Sequence, residues 1–172
     1  DVYKRQEEGG EISRFYGYVA DGIFQNQTEV NAHTDEYGTV IQPNAQPGDI
    51  RFKDLNHDGK LDDNDKTFIG NAFPDLMVGI NARLAWKNID FAANFYGTIG
   101  NDVYNTTKGR YSGVSGENVY AGTYNASWHG EGTSYDLPRL SYNDANQNWT
   151  RVSSFYVEDG SYLRCKQLQI GY

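Results

Sequence analysis

The chain has 172 residues and a net charge of −8, and 15% of it is aromatic, with 14 Tyr, although only 38% is hydrophobic. No Lys/Arg cluster supplies the basic face a nucleic-acid binder needs, and the aromatic content argues against disorder. The single cysteine, Cys165, excludes an internal disulfide and a thiolate metal site.

Gly, Asn and Asp are frequent and long Leu- or Ala-rich runs are missing, so strands and turns are favoured over helices. No apolar run reaches the length of a membrane-spanning helix, but barrel strands alternate apolar and polar residues and escape such a search. Residues 1–6 resemble a translated sequencing adapter and are read as non-native. No signal peptide is visible and the chain stops at Gly171 and Tyr172 in mid-strand, so both ends read as cut.

In chain order, an aromatic-rich strand is expected at 11–20, ended by the turn pair Asp21 and Gly22. One short helical turn fits 27–33, and 34–49 reads as loop. Strand-like runs at 49–53 and 66–70 flank an acidic segment at 54–65. The clearest pattern lies at 76–99. Leu76, Val78, Ile80, Ala82, Leu84 and Trp86 share one side of a strand, with Met77, Gly79, Asn81, Arg83 and Ala85 opposite. After the tight turn at Lys87 and Asn88, residues Ile89, Phe91, Ala93, Phe95 and Ile99 alternate with Asp90, Asn94, Tyr96 and Thr98. Two such runs joined by a short loop predict a β-hairpin with strands at 76–86 and 89–99. Strands of about 10 residues suit a tilted bilayer crossing. Periodicity alone leaves open a soluble sandwich hairpin with one buried face, whose strands usually run to about five or six residues.

Residues 100–150 read as one long irregular loop rich in Asn, Gly, Ser and Tyr, with a short helix near 101–108. A stretch of that length suits the outer loops of a membrane barrel better than a compact domain. Strands resume at 153–157 and 161–172. In the last run Leu163 and Cys165 are out of phase with Leu168, Ile170 and Tyr172, and a β-bulge near Lys166 and Gln167 restores one apolar face.

The segment 54–65 has the spacing of a calcium loop. Asp54, Asn56 and Asp58 fall at positions 1, 3 and 5, Gly59 at 6, the Lys60 carbonyl at 7, Asp62 at 9 and Asp65 at 12. Hard carboxylate and amide oxygens suit Ca²⁺. Asp rather than Glu at position 12 is closer to a dockerin-type loop than to an EF-hand, and flanking helices are missing. The competing reading is an acidic surface turn closed by Asx hydrogen bonds. No catalytic residues are assigned: His33, His57 and His129 are scattered, and neither a Ser-His-Asp spacing nor a phosphate loop occurs. Cys165 reads as a half-buried apolar strand residue.

Five segments in order carry a resemblance. They are Tyr-Gly-Tyr-Val-Ala-Asp-Gly-Ile-Phe-Gln at 16–25, and Pro-Gly-Asp-Ile-Arg-Phe-Lys-Asp at 47–54. Ile-Gly-Asn-Ala-Phe-Pro-Asp at 69–75 runs into the hairpin, and Gly-Thr-Ile-Gly-Asn-Asp-Val-Tyr-Asn follows at 97–105. The last is Val-Glu-Asp-Gly-Ser-Tyr-Leu-Arg at 157–164, leading to Leu-Gln-Ile-Gly-Tyr at 168–172. Together the set resembles the C-terminal half of SusC/RagA-type TonB-dependent transporters. Residues 112–148 match that pattern poorly, and Cys165 stands where the family more often has an aliphatic residue.

The resemblance implies an all-β fold: an antiparallel open-sheet piece of a large transmembrane barrel of about 22 strands with a plugged lumen, with long extracellular loops and short helical turns. It implies a bacterial outer-membrane location and import of oligosaccharides or peptides driven by TonB through a plug absent from this chain. It also implies a SusD-like surface lipoprotein as partner. Outer-membrane lipid would meet Leu76, Val78, Ile80, Leu84, Phe91 and Phe95, and the lumen would meet Asn81, Arg83, Asp90 and Asn94. Two other readings stand beside it: a soluble calcium-stabilised β-domain that binds carbohydrate or protein, and a secreted glycosidase fragment, for which no carboxylate pair is selected.

Overall fold

The computed structural model describes residues 3–110 and 118–172; residues 1–2 of the adapter-like start and 111–117 of the long loop lie outside them. Strands are β1 (Lys4–Arg5), β2 (Arg14–Tyr18), β3 (Ala20–Ile23), β4 (Ile50–Phe52), β5 (Lys66–Asn71), β6 (Leu76–Trp86), β7 (Ile89–Ile99), β8 (Asp102–Tyr104), β9 (Val157–Asp159) and β10 (Tyr162–Gly171); helices are α1 (Gln27–Ala32), α2 (Thr107–Arg110) and α3 (Ala121–Ala126). The pairs β1–β2, β3–β4, β6–β7, β7–β10 and β8–β9 are antiparallel. The chain divides into two units, one centred on Tyr16–Ile69 and Asn105–Tyr156, the other on Lys4–Phe15, Gly70–Tyr104 and Val157–Tyr172.

The second unit is dominated by an open sheet in the order β10-β7-β6. Alternation fixes its register, because a one-residue slip would exchange the two faces. Leu76 pairs with Ile99, Ile80 with Phe95 and Leu84 with Phe91, while Asn81 pairs with Asn94. The two-residue loop between them places Lys87 at φ 54°, a positive value of the kind that matches the twist of paired strands. On the other side of β7, Cys165 pairs with Phe95 and Gln167 with Asn94, so that Lys166 is the extra, bulged residue. The bulge corrects the phase of β10. Leu163, Cys165, Leu168 and Ile170 all lie opposite residues of the Phe91, Phe95 face.

The first unit gathers short elements around two apolar clusters. Tyr18, Ile50 and Phe52 form one, with Ala20, Leu61 and Phe155 packed against it; Phe24, Val30 and Ala45 form the other. Helix α1 starts where Asn26 Oδ1 accepts the Glu29 amide at 3.0 Å, satisfying one free amide of the first turn, and Glu29 Oε2 accepts the amide of Gln25, just before the cap, at 2.8 Å.

Three expectations need correction. The short helix expected near 101–108 is strand β8 at Asp102–Tyr104, with α2 starting only at Thr107. The strand expected at 11–20 is two strands, β2 and β3, divided at Val19. The strand expected at 153–157 is a 3₁₀ turn at Ser154–Tyr156 that leads into β9. A strand would send the consecutive rings of Phe155 and Tyr156 to opposite faces. The turn keeps them edge to face at 5.1 Å, with Phe155 against Trp149 and the Tyr156 hydroxyl donating to the Trp149 carbonyl at 2.5 Å.

Candidate functional site

Three places carry the chemistry: the acidic turn, the interior polar network of the first unit, and the two faces of the β10-β7-β6 sheet.

In the acidic turn, positive backbone angles at His57 (φ 59°) and Gly59 (φ 79°) fold the chain back on Asp54. At Gly59 a side chain would also run into the Asp35 carboxylate, so the position needs glycine twice over. Asp54 Oδ1 accepts the His57 amide at 2.7 Å and Oδ2 the Gly59 amide at 2.8 Å. Asp65 Oδ1 accepts the Leu55 amide at 2.9 Å and Oδ2 the Asp62 amide at 2.8 Å. Asn56 and Asp58 bond each other, and Asp58 and Asp62 accept the amides of Lys60 and Asn64. Asp54 and Asp65 are thus buried inside the loop, whereas Asn56, Asp58, Lys60 and Asp62 stay exposed. Their oxygens suit a hard cation and retain free lone pairs. Among the described residues, no three His, Cys, Asp or Glu side chains converge closely enough to hold a metal.

Burial works against the Asp54 carboxylate, but the amides of Gly59, His57 and Asp58 and a side-chain bond with Asp65 outweigh it, and its pKa falls below the ordinary 3.8. A carboxyl whose pKa is lowered by folding stabilises the fold fully above 3.8, and that contribution is lost as the pH falls through the lowered value. Hydrogen-exchange protection of the His57 and Gly59 amides is therefore expected to hold down to about this pH and to collapse below it. Protection unchanged under stronger acid would mean that the carboxylate does not hold the turn.

The interior network was not evident from the sequence. Strand β4 pairs with β3 along one edge, and side chains take the place of a strand along the other. Asn148 Oδ1 accepts the Ile50 amide at 2.8 Å and Gln42 Oε1 the Phe52 amide at 2.8 Å. The Ile50 carbonyl accepts Gln42 Nε2 at 3.0 Å and Asn146 Nδ2 at 2.9 Å, and the Phe52 carbonyl meets His33 Nε2 at 3.1 Å. Every main-chain group on that edge is therefore satisfied, as burial requires. Burial pushes the His33 pKa below 6.5, with the bond to Phe52 partly offsetting it. Beside this edge the fully buried Asp49 accepts Arg139 Nε at 2.6 Å, Asn148 Nδ2 at 2.8 Å and the Gln46 amide at 2.8 Å. His57 and His129 join neither Ser nor Asp in a catalytic geometry: His129 Nδ1 lies 2.7 Å from the Ser127 carbonyl.

On the sheet, the apolar face is open. Ile89 is 47% exposed, Ile80 51%, Leu84 67% and Ile170 74%, whereas Phe91 and Phe95 on the central strand are half-buried between their neighbours and Ala93 is buried. Among the described residues no second layer covers it, and Cys165 is exposed with the rest of β10 rather than half-buried. The opposite face is a shallow concavity lined by Asn81, Arg83, Asp90, Asn94, Gln167 and Gln169. An uncovered apolar face of this breadth on a soluble monomer would be an aggregation hazard, whereas lipid is its natural solvent.

No protein-family model matches the chain. It is 33% identical over 165 residues to the TonB-dependent receptor P3 of Formosa agariphila, a match covering 96% of this chain and 15% of that protein. TonB-dependent receptor P26 of the same organism is 30% identical over 164 residues, covering 95% of this chain and 16% of the relative. The TonB-dependent receptor SusC of Bacteroides thetaiotaomicron is 24% identical over 173 residues, again covering 95% of this chain and 16% of its own length. The chain thus spans about one sixth of the length of these curated relatives.

Proposed function

Because this chain is a segment of a SusC-like TonB-dependent receptor of the outer membrane, we propose that it supplies barrel wall and outer loops to a transporter that imports oligosaccharides or peptides with energy from TonB. A SusD-like lipoprotein closes the outer mouth. The observation that carries this reading is the three-stranded sheet with one continuous, uncovered apolar face and a polar face behind it. Strands of 11, 11 and 10 residues match the length a tilted crossing needs. In this reading β6, β7 and β10 span the bilayer, and the long loops at 20–50 and 100–150 are outer loops. Exposure of the apolar face favours a wall over a soluble carbohydrate-binding β-domain, which would have to cover it. No group in the segment is assigned to catalysis.

The test is uptake. Cells with and without the full-length receptor gene are fed a mixture of oligosaccharides and peptides, and depletion of the medium is followed by mass spectrometry. Receptor-dependent depletion that disappears when TonB is removed is the expected result. Depletion that is the same in both strains would refute a transport role.

Calcium belongs to the same proposal. The ion would draw on Asp54, Asn56, Asp58, Asp62 and Asp65 and the Lys60 carbonyl, and would lock an outer loop without touching cargo. Lys60 is exposed and offers trypsin a cleavage site inside the loop. At ten times its dissociation constant, Ca²⁺ suppresses opening of the loop about tenfold by mass action, so cleavage after Lys60 is expected to slow by that factor and to recover with chelator. Equal rates with Ca²⁺ and with chelator would leave the loop as a turn closed by its own hydrogen bonds.

A further inference from the structure

We infer that the turn end of the β6-β7 hairpin holds the acidic head group of a glycerophospholipid in the inner leaflet of the outer membrane; this rests on reading β6, β7 and β10 as barrel wall. Such barrels join their strands by short turns on the periplasmic side and by long loops outside. The two-residue turn at Lys87 and Asn88 is therefore the periplasmic end, since β7 and β10 are joined at the other end by residues 100–161. At the turn the apolar face changes character. Leu76, Ile99 and Leu163 close its far end with hydrocarbon alone. At the turn end Trp86 and Tyr172 bring rings with a polar edge. Rings of that kind settle at head-group depth, where one side is apolar and the other wet.

Trp86, Lys87, Asn88, Ile89 and Tyr172 line an open cleft of about 560 Å³. Trp86 is 70% exposed and pairs with Ile89 across the hairpin, so both end the outward row that runs through Leu84 and Phe91. Lys87 turns to the same side, its Nζ 4.8 Å from the centre of the Trp86 ring. The ring face holds the cation but does not neutralise it. Lys87 has no ion-pair partner among the described residues. The carboxylate nearest in sequence, Asp90, is turned away and leans over Gly171. The rest of a closed barrel does not supply the missing counter-charge. Further strands join this sheet at its edges, β6 and β10, and a plug fills the inside, so the outward corner meets lipid. A phosphate at head-group depth supplies the charge, with the Asn88 amide as a second donor. Trp86 and Ile89 take the start of the acyl chain. A zwitterionic head group brings its own ammonium, which competes with Lys87 for the phosphate; an acidic one does not.

Ile89→p-benzoylphenylalanine places a photoreactive ring in the cleft of the full-length receptor. Intact cells, and nanodiscs of phosphatidylglycerol and phosphatidylethanolamine in equal amounts, are irradiated. Adducts on the peptide carrying residue 89 are identified by mass spectrometry. Glycerophospholipid adducts are expected in cells, and an excess of phosphatidylglycerol adducts in nanodiscs. Lys87→Asn removes the cation and keeps a residue suited to the positive φ of this turn. It is expected to lower the ratio of phosphatidylglycerol to phosphatidylethanolamine adducts about fivefold, and Lys87→Arg to preserve it. If Lys87→Asn does not assemble, Lys87→Gly, unstrained at that φ, takes its place. An unchanged ratio would overturn the head-group site and leave Lys87 as a brace for Trp86. Adducts to lipid A in cells would put the turn in the opposite leaflet. Adducts to protein with none to lipid would mean that a protein neighbour covers the corner; either result overturns the inference. A receptor that gives no heat-modifiable barrel in outer-membrane fractions would instead remove the wall reading on which it rests.

Discussion

Ile80→Arg is expected to stop the full-length receptor from assembling in the outer membrane, whereas Asn81→Arg, one residue further along at the same depth, leaves assembly intact. The two side chains sit in the middle of β6 and point to opposite faces, Ile80 opposite Phe95 and Asn81 opposite Asn94. Ile80 belongs to the uncovered apolar face and is 51% exposed. In a barrel wall that exposure is to hydrocarbon, and an arginine there costs about 2–4 kcal/mol near the bilayer midplane. At Asn81 the same guanidinium enters the concavity that already holds Arg83, where water solvates it. Barrel assembly is read from the folded, heat-modifiable form in outer-membrane fractions. The comparison controls for size, charge and depth, so an equal loss of folded receptor at both positions would remove the assignment of faces.

That hairpin was legible because its information is local. Eleven-residue alternation on each strand and a two-residue loop fix the register without reference to the rest of the chain. The bulge was legible too, since the change of phase between Cys165 and Leu168 has one economical cure, and the register shows it there. The first unit was far less readable. Residues 100–150 read as one irregular loop, but their described part holds β8, α2 and α3 and, with Asn146 and Asn148, supplies part of the second edge of β4. The partners lie far apart in sequence, with Asn148 98 residues from Ile50 and Arg139 90 from Asp49. Such side-chain partners, an amide at the β4 edge and a guanidinium on a buried carboxylate, follow no sequence period. Gly48 shows the same limit. Its φ of 89° and the Trp128 ring packed where a side chain would stand explain the glycine only once both segments are seen together. In the acidic turn Asp54 and Asp65 are turned inward onto backbone amides. The backbone amides that take up their oxygens are a feature shared by metal loops and plain Asx turns, so spacing alone does not separate the two.

The same network gives the second large effect. Asp49→Ala is expected to destabilise the first unit by about 3 kcal/mol while barrel assembly persists. Asp49 is fully buried, and its two oxygens serve three donors, the Arg139 guanidinium, the Asn148 amide and the Gln46 main chain. Removing the acceptor leaves a cation, a side-chain amide and a main-chain amide unpaired at once. Breaking one side of a buried pair costs about 3–5 kcal/mol. The Arg139 side chain is 23% exposed and can recover some hydration, which places the effect at the lower end. Asn148 carries the damage further, because its Oδ1 also holds the Ile50 amide. Once Asn148 is free to turn, the edge of β4 loses a partner and the loosening spreads to the cluster of Tyr18, Ile50 and Phe52. Proteolysis of the receptor in rising urea measures this. Cleavage within residues 20–60 should begin at lower urea in Asp49→Ala, with the folded form unchanged in outer-membrane fractions. Asp49→Asn keeps one acceptor oxygen but turns a second donor toward Arg139 and Asn148, and it should fall between the two. Cleavage of Asp49→Ala at the same urea as the parent would show that the buried carboxylate is not what holds these loops together.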